Sequence, residues 1–437
     1  MTKHPLVMIL LVAAAVRLAL LAAAWNRPGR VFTPDSDGYV QLAKSLASDN
    51  AFQRNGRAEI FRTPGYPLFL IPSLAFHANY WRAVIAVQIL LDVLLVYLTF
   101  LLASMLANRR TALWAAALQA ISAVTIVSSL QILSDGLYAL PLTLAVCLMV
   151  HHLRAGAWWS LLSASGVLAA ACYVRPAGLA MAAVFVGVLL FKPMRFRRAG
   201  AFAGIVLAAI APWVIRNQVS AKYAGFSSSA GDAMYFFAVP ELTSRLENSE
   251  PARDRASLRA MAGPRPDEHG DVPPPGPAAV ERQRKAIDAI AKHPTAYAVL
   301  HLRGCLGTYL PGAPSLLEVM GLTVGQRGTS DVLHKQGLLA ATRHYFADNI
   351  TAMVLAVPMV LLLAVKYLAA GTCLIRKARL RMPAEAWLIL LIVIVSTLMP
   401  GPFGLPRYRV PFEPLLSVTA AAGIMMFIEA FRHRRKA

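Results

Sequence analysis

Acidic side chains are scarce in this chain. Asp and Glu total 22 in 437 residues, against 43 Lys and Arg, for a formal net charge of +21. Cysteine is nearly absent as well: Cys147, Cys172, Cys305 and Cys373 include no Cys-x-x-Cys pair. Three of them lie in or near apolar runs, which argues against a disulfide framework or a zinc site. Polar stretches are also few. With 57% hydrophobic residues and a mean hydropathy of +0.54, the composition excludes an ordinary soluble protein of this length. The apolar runs are continuous rather than alternating, which excludes a β-barrel. On a soluble protein so much positive charge would suggest nucleic acid. Here much of the Lys and Arg sits in short loops between apolar runs, where it sets topology and meets anionic headgroups, and no nucleic-acid motif is present.

What the chain does have is hydrophobic runs of membrane-crossing length from end to end. They predict an all-α polytopic membrane protein with about ten transmembrane helices. The expected spans lie near 5–24, 82–106, 111–130, 134–152, 156–173, 177–192, 198–215, 347–369, 384–400 and 410–430. The start resembles a signal peptide, and "LAAAW" is compatible with cleavage. Its apolar stretch is long and interrupted by Arg17, so it reads as a retained first helix. The segment 64–76 is apolar but short, suited to the interface or to a further helix.

Basic clusters test this map. "ANRR" (107–110), "HHLR" (151–154), "KPMRFRR" (192–198), "IRKARLR" (375–381) and "RHRRKA" (432–437) all fall on one side if the N-terminus is inside. Both termini are then expected in the cytoplasm. The chain divides into an N-terminal membrane module (1–215) with a first outer loop at 25–81, an outer segment (216–346), and C-terminal spans (347–437). Within the outer segment, 249–285 reads as a flexible loop from its Pro, Gly and charge content. Residues 281–310 read as a helix ended by Pro294 and a second helix along the membrane surface. No internal repeat of the inverted-repeat transporter kind is visible.

The few carboxylates are concentrated at the outer face. "VFTPDSDGYVQLAKSLA" puts Asp35 and Asp37 directly after the first span, at the start of an amphipathic helix with Tyr39, Leu42, Ala43, Leu46 and Ala47 on one side. Carboxylates in a first turn suit the helix dipole, and either one could instead face a cavity as a base. On the same face lie Arg62 in "RTPGYPLF", Asp135 in "ILSDGLYALPL", Arg175 in "CYVRPAGL", Arg216 and Asn217 in "APWVIRNQ", and Arg407, Tyr408 and Arg409 in "LPRYRVPFEPLL". A lone arginine at a helix end usually snorkels. Several converging with aspartates near membrane depth point to a site, and arginine's planar fork suits phosphate. The pattern implies an anionic lipid-linked substrate with a carboxylate nearby. Asp35 and Asp37 could recruit a divalent cation, but the nearby arginines oppose it, so no metal is expected.

These stretches resemble the integral-membrane glycosyltransferases of the GT-C class, in particular the family of protein O-mannosyltransferases and lipid A aminoarabinose transferases. The resemblance rests on Asp35-Ser36-Asp37-Gly38-Tyr39, on Arg62-Thr63-Pro64-Gly65-Tyr66-Pro67, and on "YVRPAG", "PWVIRN", "AIDAIAKHPTAY" and "RYRVPFEP" in that order over nearly the whole chain. It implies a GT-C-like helical bundle with outer-face juxtamembrane helices. It implies a bacterial inner-membrane enzyme facing the periplasm, with no cofactor, that moves a sugar from a polyprenyl-phosphate donor to a hydroxyl on a lipid, glycan or protein acceptor, with inversion. Asp35 matches the catalytic aspartate, Arg62 the basic residue at the phosphate, and Asp135 a second acidic position. Arg175, Arg216, Arg407 and Arg409 are expected donor contacts, and Tyr39, Tyr66, Asn217 and Tyr408 are expected to line the substrate. Many relatives carry Asp-Glu where this chain has Asp35-Ser36, which leaves Asp37 or Asp135 as the second acidic group. The chain also lacks an obvious folded outer domain at its C-terminus, so acceptor selection is expected of 216–346. A transporter or flippase of lipid-linked sugars and a non-catalytic envelope assembly protein are the competing readings.

Overall fold

The computed structural model describes residues 4–191, 194–247, 249, 251–262, 274–322, 324–325, 329–347, 349–378 and 382–434. Parts of the expected basic loops (192–193, 379–381, 435–437) and of the expected flexible loop (263–273) lie outside the described residues.

A chain in hydrocarbon must satisfy its own backbone polar groups, so each apolar run folds as a helix. The first module contains α1 (Pro5–Ala24), α2 (Ser36–Asp49), α3 (Gly65–Leu70), α4 (Tyr80–Leu106), α5 (Arg109–Ala120), α6 (Ala123–Leu130), α7 (Ser134–Ala155), α8 (Trp158–Val174), α9 (Gly178–Leu190) and α10 (Arg195–Ala221). The outer segment holds α11 (Ser229–Ala233), α12 (Val239–Glu247), α13 (Pro251–Ala262), α14 (Pro275–Lys292), α15 (Pro294–Gly307), α16 (Ala313–Met320) and α17 (Thr329–Tyr345). The last membrane helices are α18 (Ile350–Ala378), α19 (Ala384–Leu398) and α20 (Glu413–Arg434). A two-stranded hairpin, β1 (Gln53–Arg54) and β2 (Arg57–Ala58), stands in the first outer loop.

Every expected span has a helical counterpart. Among the described residues six helical segments are long and apolar enough to cross a bilayer, α5 and α6 meet that test only as a pair bent by 52°, and α8, α9 and α19 are shorter. The apolar stretch at 64–76 becomes α3 and a 3-10 turn that lead into α4. His293 separates α14 from α15, as the proline after it requires. Residues 251–262 do not form the loop that their composition suggested: they fold as α13.

Two apolar cores carry the bundle. One joins α7, α8, α9, α10, α19 and α20. The other joins α1, α2, α3, α4, α6 and α16, and it includes Val40, Ala43 and Tyr66, so the outer helix α2 is fixed to the membrane helices. The buried face of α2 differs from the expected one: Ser36, Gly38, Val40, Leu42 and Ala43 are buried, whereas Ala47 is exposed. One face of the helix packs against other protein elements. Ser36 Oγ donates to the Ile132 carbonyl at 2.9 Å, and the Tyr39 hydroxyl lies 3.0 Å from Ser134 Oγ.

The bend between α5 and α6 is held from both sides by buried charge. Arg17 lies 2.5 Å from Asp92 and donates to the Ala120 carbonyl at 2.9 Å, the last residue of α5. Ser122, extended at ψ 114°, donates from its hydroxyl to Glu413 at 2.6 Å. Glu413 also takes Lys366 at 2.5 Å and Arg409 at 2.7 Å. Such pairs are costly to bury and more costly to break.

Candidate active site

The site grows from the start of α2. The Thr33 N–H donates to Ser36 Oγ at 2.9 Å, the Ser36 N–H to the Thr33 carbonyl at 3.0 Å, and Ser36 Oγ to Ile132. This knot sets Asp35 at the mouth of the bundle, beside the first turn of α7, where Ser134 and Asp135 stand. Asp35 is grasped twice. Arg407 Nη1 lies 2.9 Å from Oδ2, and Arg62 Nη2 lies 3.6 Å from Oδ1, with Asp35 itself 40% exposed.

Arg62 lies flat over α2. Its guanidinium carbon is 4.9 Å from the Tyr39 ring centroid and 5.4 Å from that of Phe61. A Cβ on Gly38 would come within 2.7 Å of it, so glycine here lets the arginine lie this close to the helix. Its backbone is fixed by Glu59, whose Oε1 accepts from the N–H groups of Phe61 at 2.7 Å and Arg62 at 3.1 Å.

A second pair adjoins the first. Arg175, in the turn between α8 and α9, forms an ion pair with the buried Asp135 and points Nη1 at Ser134 Oγ, 3.5 Å away. Ser134 is therefore shared by Tyr39 and Arg175, which ties the Asp35 pair to the Asp135 pair. Burial works most strongly against the charged Arg175, but the Asp135 carboxylate, together with Tyr39 and Tyr408, outweighs it and holds its pKa above the ordinary arginine value. The guanidinium of Arg407 also packs on the Tyr408 ring at 5.2 Å.

Three guanidiniums thus face two carboxylates, leaving one positive charge in excess. Flanking this cluster, Thr63 Oγ1, the Tyr138 hydroxyl and Arg407 Nε are buried with no hydrogen-bond partner. Buried polar atoms are rarely left so. A net cationic mouth with free donors suits a phosphate, and Asp35 is the carboxylate open enough to meet a second substrate.

The other residues singled out in the sequence lie apart. Asp37 is exposed and accepts from Gln41 at 2.6 Å, with no arginine in ion-pair range among the described residues. Tyr66 is fully buried beneath Tyr39, its ring 4.8 Å away edge-on and its hydroxyl 2.7 Å from Gln88. Arg216 binds the carbonyls of Glu59, at 2.7 Å, and Phe52, while Asn217 binds those of Gly225 at 2.8 Å and Phe226 at 3.2 Å. These two residues brace the outer loops. Arg409 is corrected most sharply. It is 2% exposed and bound to Glu413 and to the carbonyls of Thr308 at 2.8 Å and Leu310 at 3.1 Å, within the bundle. Arg407 and Arg409 flank Tyr408 on a tight 3-10 turn, where residues two apart do not share a face. Among the described residues, no three His, Cys, Asp or Glu side chains gather as metal ligands.

Sequence reasoning missed Gly38, Glu59 and Ser134. Gly38 carried a signal, since glycine in the first turn of a helix is unfavourable without a packing reason. Glu59 carried a weaker one, as a carboxylate three residues before the arginine.

Comparison with known proteins agrees with this architecture. The sequence profile of the dolichyl-phosphate-mannose-protein mannosyltransferase family matches residues 66–215. No curated protein matches the chain in sequence. Among solved structures, the archaeal oligosaccharyltransferase AglB of Archaeoglobus fulgidus, in complex with an inhibitory peptide and a dolichol-phosphate, superimposes with a TM-score of 0.54 at 14% identity, over 99% of this chain and 51% of that one. Its apo form gives 0.54 at 15% identity, over 100% and 52%. ArnT of Cupriavidus metallidurans bound to undecaprenyl phosphate gives 0.41 at 12% identity, over 96% and 78%. The chain spans about half the length of the oligosaccharyltransferase structures it matches. By fold, the protein is a multi-helix membrane bundle similar to the archaeal oligosaccharyltransferase structures, and residues 66–215 carry a match to the mannosyltransferase family.

Proposed function

We propose that the protein is a membrane glycosyltransferase that moves a sugar from a polyprenyl-phosphate donor to a hydroxyl acceptor at the outer face of the membrane. The observation that carries the reading is the grip of Arg62 and Arg407 on Asp35. The donor phosphate competes for both guanidiniums and frees the Asp35 oxygens. One of them accepts the proton of the acceptor hydroxyl as its oxygen bonds to the anomeric carbon. The bond from that carbon to the phosphate oxygen breaks on the opposite side, so configuration inverts, and the phosphate departs with its electron pair and charge. Arg62, Arg175 and Arg407 hold that charge, while Asp135 keeps Arg175 in place. General-base help contributes about 100- to 10,000-fold, and charge stabilisation of the leaving group contributes on a similar scale.

The membrane placement belongs to the same proposal. The basic loops follow α4, α7, α9 and α18, and Asp35 lies at the opposite end of these helices. The positive-inside rule then supports cytoplasmic termini and a site facing the periplasm of a bacterial inner membrane. The acceptor is a lipid, glycan or protein hydroxyl.

The test uses proteoliposomes carrying radiolabelled polyprenyl-phosphate sugars and an envelope extract as acceptor. Wild type is expected to transfer label, and Asp35→Asn to bind donor but transfer about 100-fold less or lower. Equal transfer by Asp35→Asn overturns the base assignment. Movement of intact donor across the bilayer without transfer overturns the enzyme in favour of a transporter.

A further inference from the structure

Resting on that reading, we propose that a separate outer cleft is the acceptor subsite, and that it takes a saccharide carrying an anionic group, phosphate or carboxylate. The cleft is a cavity of about 640 Å³ between the β1–β2 hairpin and the helices α11 and α14. That volume lies in the usual range for small-molecule sites. Arg54, Arg57 and Arg282 line it with Glu59 and Asp232, and Phe61 and Phe236 supply aromatic surface.

The charge in the cleft is arranged in a way that folding alone does not favour. Arg54 and Arg57 are directly paired across the hairpin, so both side chains stand on the same face. Like charges in that position repel. Arg54 is relieved by Glu59 at 3.6 Å and Arg282 by Asp232 at 2.6 Å. Arg57 has no ion-pair partner among the described residues, and one positive charge of the cleft is left unbalanced. The hairpin cannot easily turn Arg57 away. Asn55 and Gly56 close it at φ 52° and 72°, the tight left-handed turn that fixes register. Arg216 clamps the backbone on both sides, at Phe52 and Glu59. An anion between Arg54 and Arg57 removes the repulsion, and the two rings offer flat apolar surface to a sugar ring.

The cleft is also wired to the catalytic cluster. Phe61 lines it, and the next residue is Arg62, which holds Asp35. Glu59 lines it too, and its carboxylate fixes the N–H groups of both Phe61 and Arg62. An acceptor seated here lies one residue along the chain from the arginine at the proposed phosphate site.

The experiment measures binding of maltose, maltose 1-phosphate and maltobionate to the full-length protein in nanodiscs by calorimetry, for wild type, Arg57→Gln and Arg57→Lys. Both anionic sugars are expected to bind at least about tenfold more tightly than maltose, the effect of one charged hydrogen bond. Arg57→Gln is expected to abolish that preference and Arg57→Lys to keep part of it, with unfolding temperature unchanged in both. Phosphate preferred over carboxylate, or the reverse, identifies the anion. Equal binding of the three sugars, binding indifferent to Arg57→Gln, or no binding at millimolar concentration overturns the proposal. Sugar transfer is measured separately. Transfer lost in Asp35→Asn without any binding of these probes retains the enzyme and rejects the subsite, whereas anion-selective binding without transfer does the converse.

Discussion

Gly38 offers a perturbation in which stability and function should move in opposite directions. An alanine there places a Cβ 2.7 Å from the Arg62 guanidinium carbon and Nη1, and 2.9 Å from Nη2. To reach the 3.4 Å of an ordinary contact the guanidinium must retreat by about 0.7 Å, and as the far end of a flexible side chain it can do so without disturbing backbone. The fold therefore loses little, and helix α2 gains at most about 0.5–1 kcal/mol, the figure for a helix interior, because Gly38 lies in its first turn. The site loses more. A displaced Arg62 leaves the Tyr39 ring and the aligned approach to Asp35 and to a phosphate, and one charged hydrogen bond is worth about 1.5–3 kcal/mol. Gly38→Ala should thus keep or raise the unfolding temperature in detergent while donor affinity falls about 10- to 100-fold. Arg62→Ala should match that loss, and the double variant should add little to it, because both act through one side chain. Donor affinity and transfer at wild-type levels in Gly38→Ala would refute the placement of Arg62 in the donor site.

The neighbouring arginines of "RYR" should separate cleanly: Arg407→Ala leaves the unfolding temperature near wild type and abolishes transfer, whereas Arg409→Met lowers it strongly, since breaking a buried pair costs about 3–5 kcal/mol. Asp92→Leu alone should destabilise α1 and the α5–α6 bend by a similar amount, about 3–5 kcal/mol, and Arg17→Leu combined with Asp92→Leu should recover most of it; thermal unfolding of wild type and the two variants decides. Glu59→Gln keeps the acceptor atom but removes its charge, and should lower transfer about tenfold through a loosened Arg62, with steady-state kinetics as the readout and Arg62→Ala as the limiting case. Wild-type kinetics in Glu59→Gln would show that Arg62 is held by other contacts.

Periodicity and composition were enough for the membrane helices, because hydrocarbon leaves a chain no alternative to helix and the length of each run is set by the bilayer. They also located the break between α14 and α15, since a proline after His293 must end a helix, although α14 starts at Pro275, inside the expected loop. The same reasoning failed at 251–262, where Pro, Arg and Asp content suggested a loop but the segment forms α13, packed beside α12. The hairpin at 53–58 carries an Asn-Gly turn signal in "QRNGRA", but its two-residue strands have no periodicity to read. Lys366 and Asp92 each stand alone in an apolar run, where a charge is costly, but nothing in the sequence says that Lys366 meets Glu413 or that Asp92 meets Arg17.

For the site, the sequence by itself determined the residue types and grouped them at one end of the helices: Asp35, Arg62, Asp135, Arg175 and Arg407 meet at one mouth of the bundle, and charge is expensive in hydrocarbon. It could not rank them. Only tertiary structure decided that Asp35 is held by Arg62 and Arg407, that Asp135 belongs to Arg175, and that Arg409, two residues from Arg407, turns into the bundle toward Glu413. The reason is geometric. Which face of a helix or turn a side chain takes follows from local spacing, but which charge it meets depends on elements up to hundreds of residues away, and those distances are set by packing alone.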